Sequence, residues 1–176
     1  MRGLVRSWAA PAAVALVLSA VAVGGVLGYR HLQGSAARGS AFSEVQLLSL
    51  GGQGSLRLSD FRDRPLVVNF FASWCPACIT ELPSFERAAQ DYRGRVAFLG
   101  VDEQDDPVAG LKLAREARVS YPLVQDTSDN RLFRLTHGTG MPTTVFLASN
   151  GTIRQVYSGE LSGELLRLRL NGLFVL

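Results

Sequence analysis

Residues 67–83 read VVNFFASWCPACITELP, in which two cysteines stand three positions apart. The run that precedes them, 65–71, is apolar and rich in β-forming residues, which predicts a strand buried on both faces. The segment that follows, 76–92, carries apolar residues at helical spacing around an internal proline, which predicts a helix. Cys75 and Cys78 are therefore expected at the point where a buried strand leads into a helix.

That position suits thiol–disulfide chemistry. The free N–H groups and the dipole at the start of a helix stabilise negative charge, so Cys75 should lose its proton more easily than an ordinary thiol. Its thiolate can attack a partner's disulfide, and Cys78, one helical turn later, can resolve the mixed disulfide. The alternative is a structural disulfide, but a bridge that closes so short a loop constrains the unfolded chain little.

The remaining composition argues against other kinds of site. Two cysteines in 176 residues are too few for a small disulfide scaffold. The two histidines, His31 and His137, stand at no zinc spacing, and Ile79 occupies the place where a c-type haem attachment motif needs histidine. The net charge is only +3, without a basic cluster interleaved with aromatics, which gives nucleic-acid binding little support. We expect neither a metal nor a cofactor.

The N-terminal residues predict export. Residues 8–29 contain no charged side chain and are long enough to cross a hydrocarbon core of about 30 Å as a helix. Two arginines precede them, which favours an N-terminus on the inner side. We predict a transmembrane anchor or uncleaved signal over residues 1–29. A signal peptide cleaved near residues 20–22 is the alternative, and it exports the rest of the chain equally.

Two further segments follow the anchor. Residues 30–41 are rich in Gly, Ser and Ala, which is typical of a flexible linker, and residues 42–176 are long enough for one domain. A hairpin is predicted over 45–58, around a glycine-rich turn, and Asn150-Gly151 predicts a two-residue hairpin turn. Further strands are predicted over 65–71, 96–101, 121–124, 143–147 and 153–157, and helices over 76–92, 108–119, 130–135 and 160–170. Alternating strands and helices imply a sheet between helical layers.

Residues 67–83, together with Gly140-Met141-Pro142-Thr143-Thr144, resemble the thioredoxin superfamily, and more narrowly its extracytoplasmic TlpA/ResA/DsbE-like branch. The resemblance covers about residues 42–170. It implies an α/β fold, the thioredoxin-like three-layer sandwich with a central mixed β-sheet flanked by helices. An added N-terminal β-hairpin and a preceding transmembrane helix are also implied. The activity it implies is that of a thiol–disulfide oxidoreductase.

The resemblance assigns the catalytic roles and the redox-active disulfide to Cys75 and Cys78. Thioredoxin has a buried acid where this chain has Asn69, so Glu81 becomes the candidate titrating group. It follows Cys78 by three residues, on the same side of the predicted helix. A carboxylate held near two sulfurs in an apolar site should have a raised pKa and could exchange a proton with Cys78. The alternative is a first-turn glutamate that complements the helix dipole.

The predicted substrate-binding residues are Trp74, Met141 and Pro142. Only about 5–6% of X-Pro bonds are cis, so the sequence alone favours a trans bond before Pro142. The resemblance instead implies a cis proline that faces the two cysteines. The Met141 backbone would then offer an N–H and a C=O to an extended substrate segment. Trp74 is predicted to form an apolar lip beside Cys75, with packing in the core as an equal alternative.

The resemblance favours a protein disulfide reductase that acts on exported proteins, of the kind that reduces apocytochrome c before haem attachment. Such a reductant needs a membrane thiol protein as its electron donor. Three alternatives stay open: a thiol oxidase or isomerase in oxidative folding, a peroxidase in which Cys75 meets peroxide, and a non-catalytic adaptor. The predicted location is the bacterial cell membrane, in a single pass, with the catalytic domain on the extracytoplasmic face.

Overall fold

The computed structural model describes residues 44–52, 54–126 and 129–174, in which seven strands form one β-sheet. The strands are β1 (Gln46–Ser49), β2 (Ser55–Arg57), β3 (Leu66–Phe71), β4 (Ala97–Asp102), β5 (Leu123–Gln125), β6 (Thr143–Leu147) and β7 (Ile153–Ser158). The helices in the same residues are α1 (Pro76–Asp91), α2 (Pro107–Glu116), α3 (Arg131–Thr136) and α4 (Gly163–Phe174), with a 3-10 helix over Leu58–Phe61.

The sheet is mixed, in the order β2-β1-β5-β4-β3-β6-β7. Strand β4 runs parallel to both β3 and β5, and the other neighbours are antiparallel. The predicted N-terminal hairpin is the β1–β2 pair, in which Leu47 lies opposite Leu56. The thioredoxin-like α/β fold expected from the resemblance is confirmed.

The core lies on both faces of β3, where all six residues are buried. Because side chains alternate along a strand, Val68 and Phe70 pack on one face in a cluster with Leu132 of α3. Val67 packs on the other face in a cluster with Phe85 of α1. Burying each of these side chains contributes roughly 1.5–3 kcal/mol. The continuous apolar run in the sequence therefore becomes the central strand of a sheet covered on both sides.

Helix α2 ends earlier than the predicted limit of residue 119. Arg118 has a φ of +58°, in the left-handed region, which the helix cannot continue through. The N–H of Val119 then donates to the carbonyl of Ala114 over 2.9 Å and closes the helix end.

Helix α4 begins at Gly163, three residues later than predicted. The hydroxyl of Ser162 accepts a hydrogen bond from Leu165 N–H over 3.2 Å, as an N-cap residue does, so the helix begins directly after Ser162. The N–H of Leu161, just before this cap, donates to the Glu81 carboxylate over 2.9 Å. The segment before the helix is therefore tied to a residue 80 positions away in sequence.

The hairpin predicted around Asn150-Gly151 is confirmed, because β6 and β7 pair antiparallel, but its turn is longer than the predicted two residues. The N–H of Ala148 donates to the carbonyl of Thr152 over 2.9 Å, which leaves residues 149–151 between this pair. The pairing register shifts between Phe146 and Leu147, and such an irregularity lengthens the connection. Asn150 still shapes the turn, because its Oδ1 accepts a hydrogen bond from Thr152 N–H over 3.0 Å.

Among the described residues, no helix is both long and apolar enough to cross a membrane. The anchor predicted over residues 1–29 and the linker predicted over residues 30–41 lie outside those residues.

Candidate redox site

Cys75 and Cys78 form a disulfide at the start of α1, with an S–S distance of 2.08 Å and Cα atoms 5.2 Å apart. Cys75 is the N-cap residue of the helix, and Pro76 is its first residue. The Cys75 Sγ accepts a hydrogen bond from the N–H of Cys78 over 3.2 Å. This N–H is one of the unpaired donors at a helix start, and it would stabilise a thiolate on Cys75 as the sequence predicted.

The two cysteine residues differ slightly in exposure. Cys75 is 4% exposed, whereas Cys78 is fully buried. Both belong to an apolar cluster that includes Phe71 and Leu82. Cys75, the predicted attacking cysteine, is therefore the more exposed residue of the pair.

Glu81 is buried in α1, one turn beyond Cys78, with 1% of its surface exposed. Its Oε1 accepts a hydrogen bond from Asn69 Nδ2 over 2.7 Å, and its Oε2 accepts one from Leu161 N–H over 2.9 Å. Burial raises the pKa of Glu81 from 4.5 to about 7, although the two hydrogen bonds oppose that rise. The predicted direction of the pKa shift is confirmed. The alternative of a first-turn glutamate is wrong, because the first turn of α1 contains no acid.

Asn69 stands beside Glu81 and also lies in the buried interior. It donates through Nδ2, and its Oδ1 has no hydrogen-bond partner among the described residues. An amide does not titrate, so Asn69 orients the Glu81 carboxyl and leaves the proton to it. Both residues were noted from the sequence, but the hydrogen bond between them was not predicted.

The loop before β6 carries Met141 and Pro142. Met141 packs against the apolar cluster that contains both cysteines. The Met141–Pro142 peptide bond is cis, as the resemblance implied and against the general frequency of X-Pro bonds. The Pro142 carbonyl accepts a hydrogen bond from Gly159 N–H over 2.8 Å. Within the described part of the chain, the N–H and C=O of Met141 make no hydrogen bond, so both are available to a partner.

Trp74 lies on the surface next to Cys75, with 57% of its area exposed. Its indole Nε1 donates a hydrogen bond to the carbonyl of Gln104 over 3.0 Å. The alternative of a core-packing tryptophan is therefore wrong.

An acidic loop that no sequence pattern singled out lies against Ser73 and Trp74, directly before the disulfide. Residues 102–106 contain four acids, and Asp102 and Glu103 are buried. Burial, with the charge of Asp105 in second place, raises the pKa of Asp102 to about 7. Burial also raises the pKa of Glu103 above its usual range, with Asp126 adding to the effect. The signal was available, because acids that directly follow a strand parallel to β3 must lie at the same sheet edge as the cysteines.

This fold, with a disulfide-bonded cysteine pair at a helix start and a cis proline before β6, defines a thiol–disulfide oxidoreductase of the thioredoxin type. The AhpC/TSA family matches residues 39–156, and the chain belongs to that family. Thiol-disulfide oxidoreductase ResA of Geobacillus kaustophilus is 29% identical over 127 residues, which are 72% of each chain. Thiol:disulfide interchange protein DsbE of Pseudomonas fluorescens is 32% identical over 121 residues, covering 69% of this chain and 66% of that protein.

Solved structures agree with the fold. A structure of MTB DsbF in mixed oxidized and reduced forms superposes with a TM-score of 0.68 at 25% identity, covering 76% of this chain and 97% of that one. A secreted Mycobacterium tuberculosis disulfide oxidoreductase homologous to E. coli DsbE gives a TM-score of 0.67 at 21% identity, over 75% of this chain and 98% of that one.

Proposed function

We propose that this protein is a reductant that transfers two electrons from the Cys75–Cys78 dithiol to disulfides of exported proteins. The observation that carries the proposal is the arrangement of the two sulfurs. Cys75 is 4% exposed at a helix start, and the residue of its resolving partner is buried one turn later. Met141 packs against the cluster that contains both cysteines, and its backbone, which has no hydrogen-bond partner among the described residues, would supply a docking edge for an extended polypeptide.

The reaction balances as two exchanges. The Cys75 thiolate attacks one sulfur of the substrate disulfide, so that bond breaks, a mixed disulfide forms and the other substrate sulfur leaves as a thiolate. The Cys78 thiolate then attacks the Cys75 sulfur, releases the second substrate thiolate and closes the Cys75–Cys78 disulfide. Two electrons pass to the substrate, and its thiolates take up two protons.

Glu81 is the proposed acceptor of the Cys78 proton. Since Cys78 is buried, water cannot easily remove that proton. A carboxyl group with a pKa of about 7, one helical turn away, takes and returns protons near neutral pH. The hydrogen bonds from Asn69 and Leu161 hold it in place.

The location and partners rest on the sequence and on the resemblance. We propose an anchor over residues 1–29 and a linker over residues 30–41, with the domain of residues 42–176 on the extracytoplasmic face. The names ResA and DsbE of similar proteins support a role in thiol–disulfide chemistry. Apocytochrome c is the substrate class that we propose, and a membrane thiol protein must regenerate the dithiol after each cycle.

The direction can be tested by trapping the cysteines of the full-length chain in growing bacteria with a thiol-alkylating reagent. A reductant is held mainly as the dithiol, whereas an oxidase is held mainly as the disulfide. A Cys78→Ser variant should accumulate mixed disulfides with exported proteins, and a Cys75→Ser variant should accumulate none. Rapid peroxide consumption that depends on Cys75, without mixed disulfides, would instead support a peroxidase.

A further inference from the structure

Asp105, in the loop between β4 and α2, holds the chain directly before the redox site. Its carboxylate accepts hydrogen bonds from the backbone N–H of Ser73 and from the Ser73 hydroxyl, the latter over 2.8 Å. It also accepts one from the N–H of Asp106 over 2.8 Å. Hydrogen bonds to a charged acceptor are roughly twice as strong as those between neutral groups. Ser73 is two residues before Cys75, so this contact fixes the approach to the attacking sulfur.

The neighbouring residues extend the same contact. The Trp74 indole donates to the carbonyl of Gln104, so two consecutive residues before Cys75 are tied to two consecutive residues of the loop. Gln104 itself has a φ of +49°, which is uncommon for a residue other than glycine. A loop in that conformation must be held by its contacts. Asp106 supplies one more, because its side chain caps the start of α2.

We propose that Asp105 is a positioning residue for exchange with protein disulfides. It acts through Ser73 to hold Trp74 as a fixed apolar surface beside Cys75, against which a polypeptide substrate docks. Within the described part of the chain, the hydrogen bonds of Asp105 go to Ser73 and Asp106 and not to either sulfur. A small disulfide does not need the Trp74 surface. The proposal rests on the proposed function, since it concerns the docking of a protein substrate at this same site.

The negative charge of Asp105 could also affect the exchange rate, but replacing Asp105 would then change that rate in the opposite direction. A carboxylate near Cys75 disfavours its thiolate, so removing the charge alone would speed reaction with every disulfide. Removing the hydrogen bonds would instead slow the reaction with protein disulfides alone. The loop offers variants that separate the two effects.

Four substitutions are compared in the full-length chain, solubilised in detergent. Asp105→Ala removes both the contact and the charge, and Ser73→Ala removes one hydrogen bond and keeps the charge. Ser73→Thr keeps the hydroxyl and serves as the conservative rescue. Asp106→Asn removes a charge from the same loop, while asparagine still caps the helix. All carry Trp8→Phe, which leaves Trp74 as the single tryptophan, because the chain has only two.

Each reduced chain is mixed with increasing insulin, as a protein disulfide, or with hydroxyethyl disulfide, as a small neutral one. For Asp105→Ala we expect the half-saturating insulin concentration to rise roughly tenfold, the factor that corresponds to about 1.4 kcal/mol. For Ser73→Ala we expect a smaller rise, because the hydrogen bond from the Ser73 N–H to Asp105 remains. The limiting rate and the reaction with hydroxyethyl disulfide should stay within about twofold. Trp74 emission should shift in these two variants, and Ser73→Thr and Asp106→Asn should behave as the parent chain.

Three results would overturn the proposal. If Trp74 emission and insulin kinetics stay unchanged in both Ser73→Ala and Asp105→Ala, the hydrogen bonds between Ser73 and Asp105 do not position Trp74. Equal slowing with both disulfides would place the effect on Cys75 itself. If Asp105→Ala and Asp106→Asn both react faster while Ser73→Ala reacts at the rate of the parent chain, the charge of the loop sets the exchange rate, and the hydrogen bonds do not. If the parent chain fails to reduce insulin at all, the proposed function fails instead, which is a separate result.

Discussion

Replacing Glu81 by glutamine should change how the stability of the protein depends on pH. Glu81 is buried, and its pKa in the folded chain is about 7, against an ordinary value of 4.5. The folded chain therefore binds more protons than the unfolded chain between these two pH values. As a result, the free energy of unfolding falls as the pH rises through this window, and the loss is complete above pH 7. At 1.36 kcal/mol for each pKa unit, the total fall is about 3 kcal/mol.

The glutamine variant should lack this fall, because an amide does not titrate in this range. The site can accommodate it. The glutamine oxygen can accept from Leu161 N–H, as Glu81 does. Its NH₂ group can donate to Asn69 Oδ1, which has no partner among the residues that the structure describes, once the Asn69 amide rotates.

The assay is urea unfolding of the full-length chain in its disulfide form between pH 4.5 and 8.5. In that form neither cysteine titrates. Asp102 and Glu103 titrate in both chains, so their effects cancel in the difference between the two curves. We expect the stability of Glu81→Gln relative to the parent chain to increase by about 3 kcal/mol between pH 4.5 and pH 8. A difference that stays constant across this range would refute the argument from burial.

Three further substitutions test the surroundings of the site. Asp102→Asn should raise the free energy of unfolding above pH 7 and change it little near pH 4. The buried carboxyl has a pKa of about 7, so its burial destabilises the fold only when it is charged, and urea unfolding at both pH values measures the difference. Gly110→Ala should cost about 1–3 kcal/mol in the same assay, since the new Cβ would lie 2.4 Å from Asp102 Oδ1 and α2 would have to shift. Ser162→Ala should cost about 1 kcal/mol through loss of the α4 cap and lower the melting temperature in calorimetry.

Local sequence patterns predicted the part of the site built on β3 and α1. The apolar run before Cys75 forms the central strand, and the helical spacing after it forms α1 from Pro76. The direction of the Glu81 pKa shift also followed from its spacing to Cys78 and from the expected apolar surroundings. These features depend on residues close together in the chain, and their periodicity records which faces are buried.

The features that sequence reasoning missed depend on contacts between distant residues. The segment before α4 is held by the bond between Leu161 and Glu81, and the position of the Trp74 indole depends on a loop that follows β4. No local pattern singles out Asp105, although its carboxylate accepts a hydrogen bond from the Ser73 hydroxyl. Hydrogen bonds between residues 30 to 80 positions apart leave no periodic signal, so only the sheet order reveals them.

The central claim is tested most directly by the equilibrium reduction potential of the Cys75–Cys78 pair. The full-length chain is equilibrated with mixtures of reduced and oxidised dithiothreitol or glutathione, and its free thiols are then alkylated and counted. A protein disulfide reductase should give a value near or below about −250 mV, comparable with thioredoxin. A value near about −120 mV would contradict the account, because the protein would then be an oxidant of folding proteins.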